Sequence, residues 1–335
     1  MFGRGRGAWG RLDPAPTPSP GGDRPDPNLP MLTVDEAAWL LALVRRAFAE
    51  QGRETVGDGA GALRGDGQVY GLHNLAAHAA GAARRAWPDL ARRHVLDMLA
   101  ADRTPEPESL DEVRDQVMLK LRPLSDLPGG PPAYAPEVLP GVVAVAAIDY
   151  PTHVSELLDA DRLEPLGGWG VIRPVALENL RRLEAPRLEA LEADEDRPDS
   201  VVNVMLSEDF FGAARICVLD TLLASLLGIE RPEHGVLVAV PNRHVLAIHI
   251  PSGPGLIAAL QLLVTLATEE STSAPGPISP YVYLMAADGR IEQVTRRGDD
   301  GDVVIEVRGA LAEVFERLGL LGDGDGDGED DAGPV

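Results

Sequence analysis

Four polar residues stand where strands and helices are expected to begin or end, and their types could do chemistry: Asp149, Arg173, Asn179 and Arg243. Asp149 closes the apolar run 142–148 ahead of Tyr150-Pro151, and Arg243 lies in the turn Pro241-Asn242-Arg243 after the apolar run 236–240. Strand ends in mixed sheets are where ligands gather, so a carboxylate, two guanidiniums and an amide could hold a small polar ligand between them. Each also has an ordinary structural role. Asp149 can start a turn before a proline, Asn179 can cap a helix, and Arg243 can turn a corner after Pro241.

The remaining reactive side chains point away from catalysis. Cys217 is the sole cysteine, which excludes an intramolecular disulfide and a multi-cysteine metal site. It shares an apolar helical stretch with Ile216, Leu219, Leu223 and Leu227, where a thiol is a small buried hydrophobe; Arg215 is a close cation that could favour the thiolate. Of the seven histidines, His73 and His78 are five apart, as are His244 and His249. That spacing leaves a common helix face and alternates across a strand, so no metal set is expected. Asp220 lies within an apolar helix and is a further carboxylate whose ionisation burial could shift. The tail Asp323-Gly324-Asp325-Gly326-Asp327-Gly328 imitates the start of a calcium loop, but Pro334 stands where the closing Glu should be. Gly57-Asp58-Gly59-Ala60-Gly61 lacks the preceding strand and the Lys-Ser/Thr of a phosphate loop, and no hydrolase elbow or zinc-protease motif occurs. No catalytic residue, metal or cofactor is therefore expected.

The chain that must position these residues has 335 residues, 44% of them hydrophobic and 25% charged, enough for two globular domains. Aromatics make up only 4%, so the cores must be aliphatic, with Trp39, Trp87, Trp169, Phe48, Phe210 and Phe211 as isolated large fillers. A formal net charge of -23 repels a nucleic-acid backbone or an anionic membrane at long range, so neither is expected as a partner. Lys120 is the only lysine, a bias that with the abundant Ala, Gly and Pro points to a GC-rich coding sequence; adaptation to high salt is a weaker reading of the acidity. No secretory leader or membrane-spanning run is evident, and a cytoplasmic location is expected.

Residues 1–30 are rich in Pro, Gly, Asp and Arg, and 322–335 are Asp/Gly-rich and acidic; both are expected to be disordered. Thr33 with Glu36 has capping-box spacing ahead of a helix bearing Ala37, Leu40, Leu41, Val44 and Phe48, ended by Gly52. A short hairpin is expected within 54–72, then helices over 74–86, 88–100 and 111–121. The Pro/Gly-crowded stretch 124–140 reads as a linker between an N-terminal unit, 31–123, and a C-terminal unit, 141–321. In the latter the run 142–148 is a strand buried on both faces. A short helix over 153–158, a turn around Trp169 and a helix over 175–191 follow, then an acidic linker over 192–199. Strands at 201–206, 236–240 and 244–250, helices at 211–227 and 255–267, a hairpin over 281–295 turning at Asp288-Gly289, and a helix at 310–318 complete it. The class is α+β: two mixed α/β units of short strands packed against helices.

One pattern occurs twice. Leu72-His73-Asn74-Leu75 and Leu177-Glu178-Asn179-Leu180 each read as the start of a helix, with Asn able to bond backbone N–H groups of the first turn. Together with the strand ending Ile148-Asp149-Tyr150-Pro151, the Trp169-Gly170 pair, and the helix from Ala213 leading to Val238-Ala239-Val240-Pro241-Asn242-Arg243, these blocks make residues 33–310 resemble the DUF1444 family, bacterial proteins without an assigned activity. The chain departs from that family in its Pro-rich arm, its acidic tail, and His73 where the family more often has Asp. The expected function is a non-catalytic protein-binding or adaptor module that uses sheet edges and helix faces. The alternative is an enzyme or small-ligand sensor with its site near Asp149, Arg173 and Arg243.

Overall fold

The computed structural model describes residues 19–321 apart from 20, 60, 66, 67, 102, 103, 128 and 152. Both acidic and Pro-rich ends therefore fall largely outside the described residues. Backbone contacts divide the chain into Met1–Thr104 with Thr272–Pro275, and Pro105–Ser271 with Gly276–Val335.

In the first unit, α1 (Val34–Glu50) begins as its sequence predicts. The Glu36 N–H donates to Thr33 Oγ1 at 3.3 Å while the Glu36 carboxylate accepts from the Thr33 N–H at 2.9 Å. Strands β1 (Val56–Gly57), β2 (Ala62–Gly65) and β3 (Gln68–Gly71) form an antiparallel meander, and α2 (His73–Ala80) and α3 (Trp87–Ala101) close the unit. Pro88 sits in the first turn of α3, where its missing N–H costs no helical bond. The core is Leu40, Val44, Phe48, Leu63, Leu72 and Trp87, with the Trp87 indole N–H satisfied by Ala79 O at 2.9 Å. Leu29 and Leu32 are buried in it too, so residues 29–32, ahead of the Thr33 cap, are part of the packed unit.

The second unit contains α4 (Leu110–Val113), β4 (Val117–Pro123), β5 (Glu137–Leu139), β6 (Val142–Asp149) and β7 (Val154–Glu156), then α5 (Trp169–Arg182). Strand β6 is central, flanked by β4 and β5 with β7 also pairing to it, and seven of its eight residues are buried, as the continuous apolar run predicts. A six-stranded antiparallel sheet follows, built from β8 (Arg187–Glu192), β9 (Val201–Leu206), β10 (Val236–Ala239), β11 (Val245–His249), β12 (Val282–Met285) and β13 (Ile291–Gln293) in the order β13-β12-β10-β11-β9-β8. Helix α6 (Leu219–Leu222) continues into a π turn, α7 (Leu256–Ser273) follows β11, and β14 (Thr295–Arg297), β15 (Val303–Ile305) and α8 (Gly309–Arg317) come last among the described residues. One face of the six-stranded sheet, with Met205, Val238, Leu246 and Ile248, shares a core with Ala146 of β6 and Ile172 and Leu180 of α5. The other face, with Val202, Val204, Leu237 and Ala247, is covered by Leu256, Leu260 and Leu263 of α7 and Leu311 and Val314 of α8. The α+β class is thus observed.

Several expected elements change. The helix expected over 111–121 shrinks to Leu110–Val113, because Val117–Pro123 pairs with β6 through seven consecutive register positions and that ladder overrides local preference. The helix expected over 153–158 is strand β7, paired with β6. The helix expected to reach 191 ends at Arg182, and 187–192 becomes edge strand β8. The stretch 124–140 does not act as a linker: Leu127 packs on Val143 and Val145, and Glu137–Leu139 joins β6, so the division falls near residue 104. The acidic 192–199 segment is the connection of the β8–β9 hairpin.

Candidate functional site

The polar corner of the second unit lies where β9 ends and β11 begins. Leu206 faces Val245 in register, and beyond that pair the Ser207 N–H donates to His244 O at 2.9 Å. The following backbone ties both strand ends: the Ala213 N–H donates to Arg243 O at 3.0 Å, and the Arg243 N–H donates to Gly276 O at 2.9 Å. Asn242, 1% exposed, builds the turn by accepting the His244 N–H on Oδ1 and donating from Nδ2 to Glu270.

Two arginines occupy this corner in different states. Arg215 is buried and donates from Nη2 to Asp209 Oδ2 at 2.7 Å and to Glu184 O at 2.9 Å, while Asp209 Oδ1 accepts the Phe211 N–H. Arg243 donates from Nε to His244 Nε2 at 2.9 Å, and its guanidinium lies 4.3 Å from the centre of the Phe210 ring. The His244 Nδ1 atom faces two carbonyls, Ser207 O at 3.2 Å and Asp209 O at 2.9 Å, so Nδ1 carries the proton and Nε2 is the free acceptor that Arg243 needs. Burial lowers the His244 pKa, and the Arg243 charge lowers it further, outweighing the carbonyl bonds. Burial also lowers the Arg243 pKa. The Ser207 hydroxyl is buried beside them without a hydrogen-bond partner.

Asp149 ends β6, half-buried, with its N–H donated to Gln116 O at 2.9 Å. Burial raises its pKa and the Asp209 charge raises it further. Asp149 and Arg243 are therefore related through Asp209, by charge on one side and through His244 on the other. Arg173 is exposed on α5 and acts electrostatically on Cys217. Asn179 has a different role altogether. It is buried near the end of α5, and its Nδ2 donates to Arg114 O at 2.7 Å and Val117 O at 2.8 Å, fixing the entry to β4. Asn74 does lie in the first turn of α2, so the two Asn-bearing patterns occupy opposite ends of their helices.

Burial pushes the Cys217 thiol up to about 12 against the opposing Arg173 charge, which leaves it a protonated, unreactive group. Asp220 is exposed. Among the described residues no group of three metal-ligating side chains is assembled, and no helix is long and apolar enough to cross a membrane. The calcium-like tail lies outside the described residues. Clefts also occur elsewhere among the described residues. One of about 460 Å3 is lined by Thr33, Asp35, Glu36, Trp39 and Arg84, with Glu36 already held by Thr33 and Arg84. A groove of about 230 Å3 is lined by Asp199, Asn203, Leu227, Ile229 and His249. There the His249 Nδ1 atom is bonded to Val201 O, and Nε2 is buried without a partner. Asp149 and Arg243 lie at strand ends, where their sequence positions place them. Asp209, Phe210, Arg215 and His244 join this corner only through the register between β9 and β11, and the Asp209-Phe210 pair just after a strand is the one local signal of it.

Comparison with known proteins returned no likeness: no protein-family model matches the chain, and no curated protein or solved structure is similar to it.

Proposed function

We propose that this chain is a non-catalytic, cytoplasmic protein-binding module that recruits an extended segment of a partner protein to the outer edge of β8. The observation that carries the reading is that β8, six residues long, is the terminal strand of the six-stranded sheet and pairs only with β9 among the described residues. An edge strand presents a row of unpaired backbone donors and acceptors that a partner strand can complete. The opposite edge is poorer, since β13 is three residues long and the Glu292 side chain is occupied by the Ala310 N–H. Arg187, Glu189 and Glu192 place charges along β8, which guards against indiscriminate self-pairing, while Leu188 is 37% exposed and supplies apolar contact. The resemblance to the DUF1444 family is part of this proposal and rests on the sequence blocks alone.

The ladder indicates how to test it. The Ala193 N–H donates to Ser200 O, so by antiparallel alternation 191, 189 and 187 bond inward to β9, and Leu188, Ala190 and Glu192 turn their backbone groups outward. Ala190→Pro removes an outward donor and no native ladder bond. Tagged wild type, Ala190→Pro and an Asp149→Ala, Arg243→Ala double variant, each shown to be folded, are used to capture partners from native lysate. The expected result is a protein retained by wild type and the double variant and lost from Ala190→Pro. Equal retention by Ala190→Pro, or no retained protein, would overturn the strand-edge reading.

A further inference from the structure

The Arg243 guanidinium is built into place and meets no carboxylate among the described residues. Its Nε is committed to His244 Nε2, its face rests on Phe210, and its own backbone is bonded on both sides, to Gly276 O and the Ala213 N–H. Gly276 has a φ of +71° and closes the back of the side chain; a Cβ there would stand 2.7 Å from Arg243 Cδ. No carboxylate among the described residues lies within ion-pair distance of Arg243, although Arg215 in the same corner is matched with Asp209 at 2.7 Å. The outer edge of the guanidinium, Nη1 and Nη2, is thus a two-donor fork with no partner among the described residues. Such a fork fits the two oxygens of a carboxylate in one plane, and because the side chain is already ordered, little further freedom is lost on binding.

We propose that Arg243 and Phe210 form a receptor for an organic carboxylate monoanion, whose oxygens take Nη1 and Nη2 and whose flat or apolar body lies against the Phe210 ring. Three observations select this class over a free phosphate. The remaining donors form one edge and not a cage, the Phe210 ring is 39% exposed beside the fork, and the chain carries a formal net charge of -23, which penalises a multiply charged ligand more than a monoanion. This site is independent of the β8 edge, and either can fail without the other.

The test is a titration of the full 15N-labelled chain with benzoate and, in a parallel arm, with inorganic phosphate, followed at the Arg243 Nε–H and the backbone amides of Ala213 and Gly276. Benzoate is expected to give saturable shifts at these groups, with affinity reduced about tenfold in Arg243→Lys, which keeps the charge and loses the fork. Phe210→Ala changes a ring at the surface, serves as the second variant, and is expected to weaken benzoate several-fold while leaving the Arg243 Nε–H bond to His244 in place. No saturable shift with benzoate, equally strong saturation by phosphate, or unchanged benzoate affinity in the folded variants would overturn the proposal.

Discussion

The Glu156 cluster and the Arg243 corner hold the same kind of charge in opposite states of completion. In the first, one carboxylate receives two cations: Lys120 Nζ donates to Glu156 Oε1 at 2.5 Å and Arg122 Nη1 to Oε2, while Arg162 donates to the Glu156 backbone carbonyl at 2.8 Å. Burial pushes the Glu156 pKa up, yet Lys120 and Arg122 outweigh it and leave the carboxyl below its usual range. In the second, Arg215 is closed by Asp209 and Arg243 by nothing anionic among the described residues. A chain with 53 acidic and 30 basic residues has carboxylates in surplus, yet none among the described residues closes the Arg243 guanidinium, the contrast on which the proposed carboxylate site rests.

The sharpest way to break that contrast is to remove charges from each region and compare the losses. Glu156→Gln strands Lys120 and Arg122, whose side chains are only 20% and 25% exposed, and is expected to cost about 3 kcal/mol in urea unfolding at neutral pH. The sign with pH follows from the lowered pKa: the contribution is complete above the ordinary Glu value of 4.5 and is lost as pH falls through the folded-state value, so variant and wild type should converge in acid. Asp209→Asn keeps an acceptor for the Phe211 N–H but removes the charge facing Arg215, and should cost about 2 kcal/mol. Arg243→Met breaks no ion pair and gives up a cation–π contact and one bond to a neutral ring, for a loss of about 1 kcal/mol or less. An Arg243→Met loss as large as that of Asp209→Asn would erase the distinction and make Arg243 a structural residue.

How much of this was legible in the sequence varied with the range of the interaction that decides each element. The Thr33–Glu36 cap, the buried strand β6 and the β12–β13 hairpin at Asp288-Gly289 are local, and they stand as their residues predict. The segments 117–121 and 187–191 fall within helices expected over 111–121 and 175–191, but both are strands, through ladders with β6 and β9 that no short window contains. Asn179 shows the same limit in one residue. It shares its Leu-x-Asn-Leu setting with Asn74, yet it serves carbonyls of Arg114 and Val117 more than sixty positions away. At the candidate site, Asp149 and Arg243 were visible as strand-end polar residues, while the proton on His244 Nδ1 and the pairing of Asp209 with Arg215 exist only once Leu206 and Val245 are in register.

Asp149 offers the smallest effect and the finest test of how far the Arg243 corner extends. Its carboxyl is held above the ordinary aspartate value of 3.8, first by burial and then by the charge of Asp209. A raised folded-state pKa means that the ionised form is the less favoured one in the fold: the favourable contribution is complete below the unfolded value and is lost as pH rises through the folded one. Asp149→Asn should therefore raise the unfolding midpoint slightly at pH 7 and leave it unchanged near pH 3, where the wild-type carboxyl is already protonated. Because part of the shift comes from Asp209, the gain should shrink when Asp149→Asn is made on the Asp209→Asn background, and the departure from additivity measures the coupling between the two carboxylates. Full additivity would confine Asp149 to the end of β6 and leave Arg243, His244 and Phe210 as the whole of the anion-binding corner. A loss of stability at pH 7 in place of a gain would mean that the Asp149 carboxylate accepts a bond its amide cannot, and would make it a structural anchor of the β6 terminus.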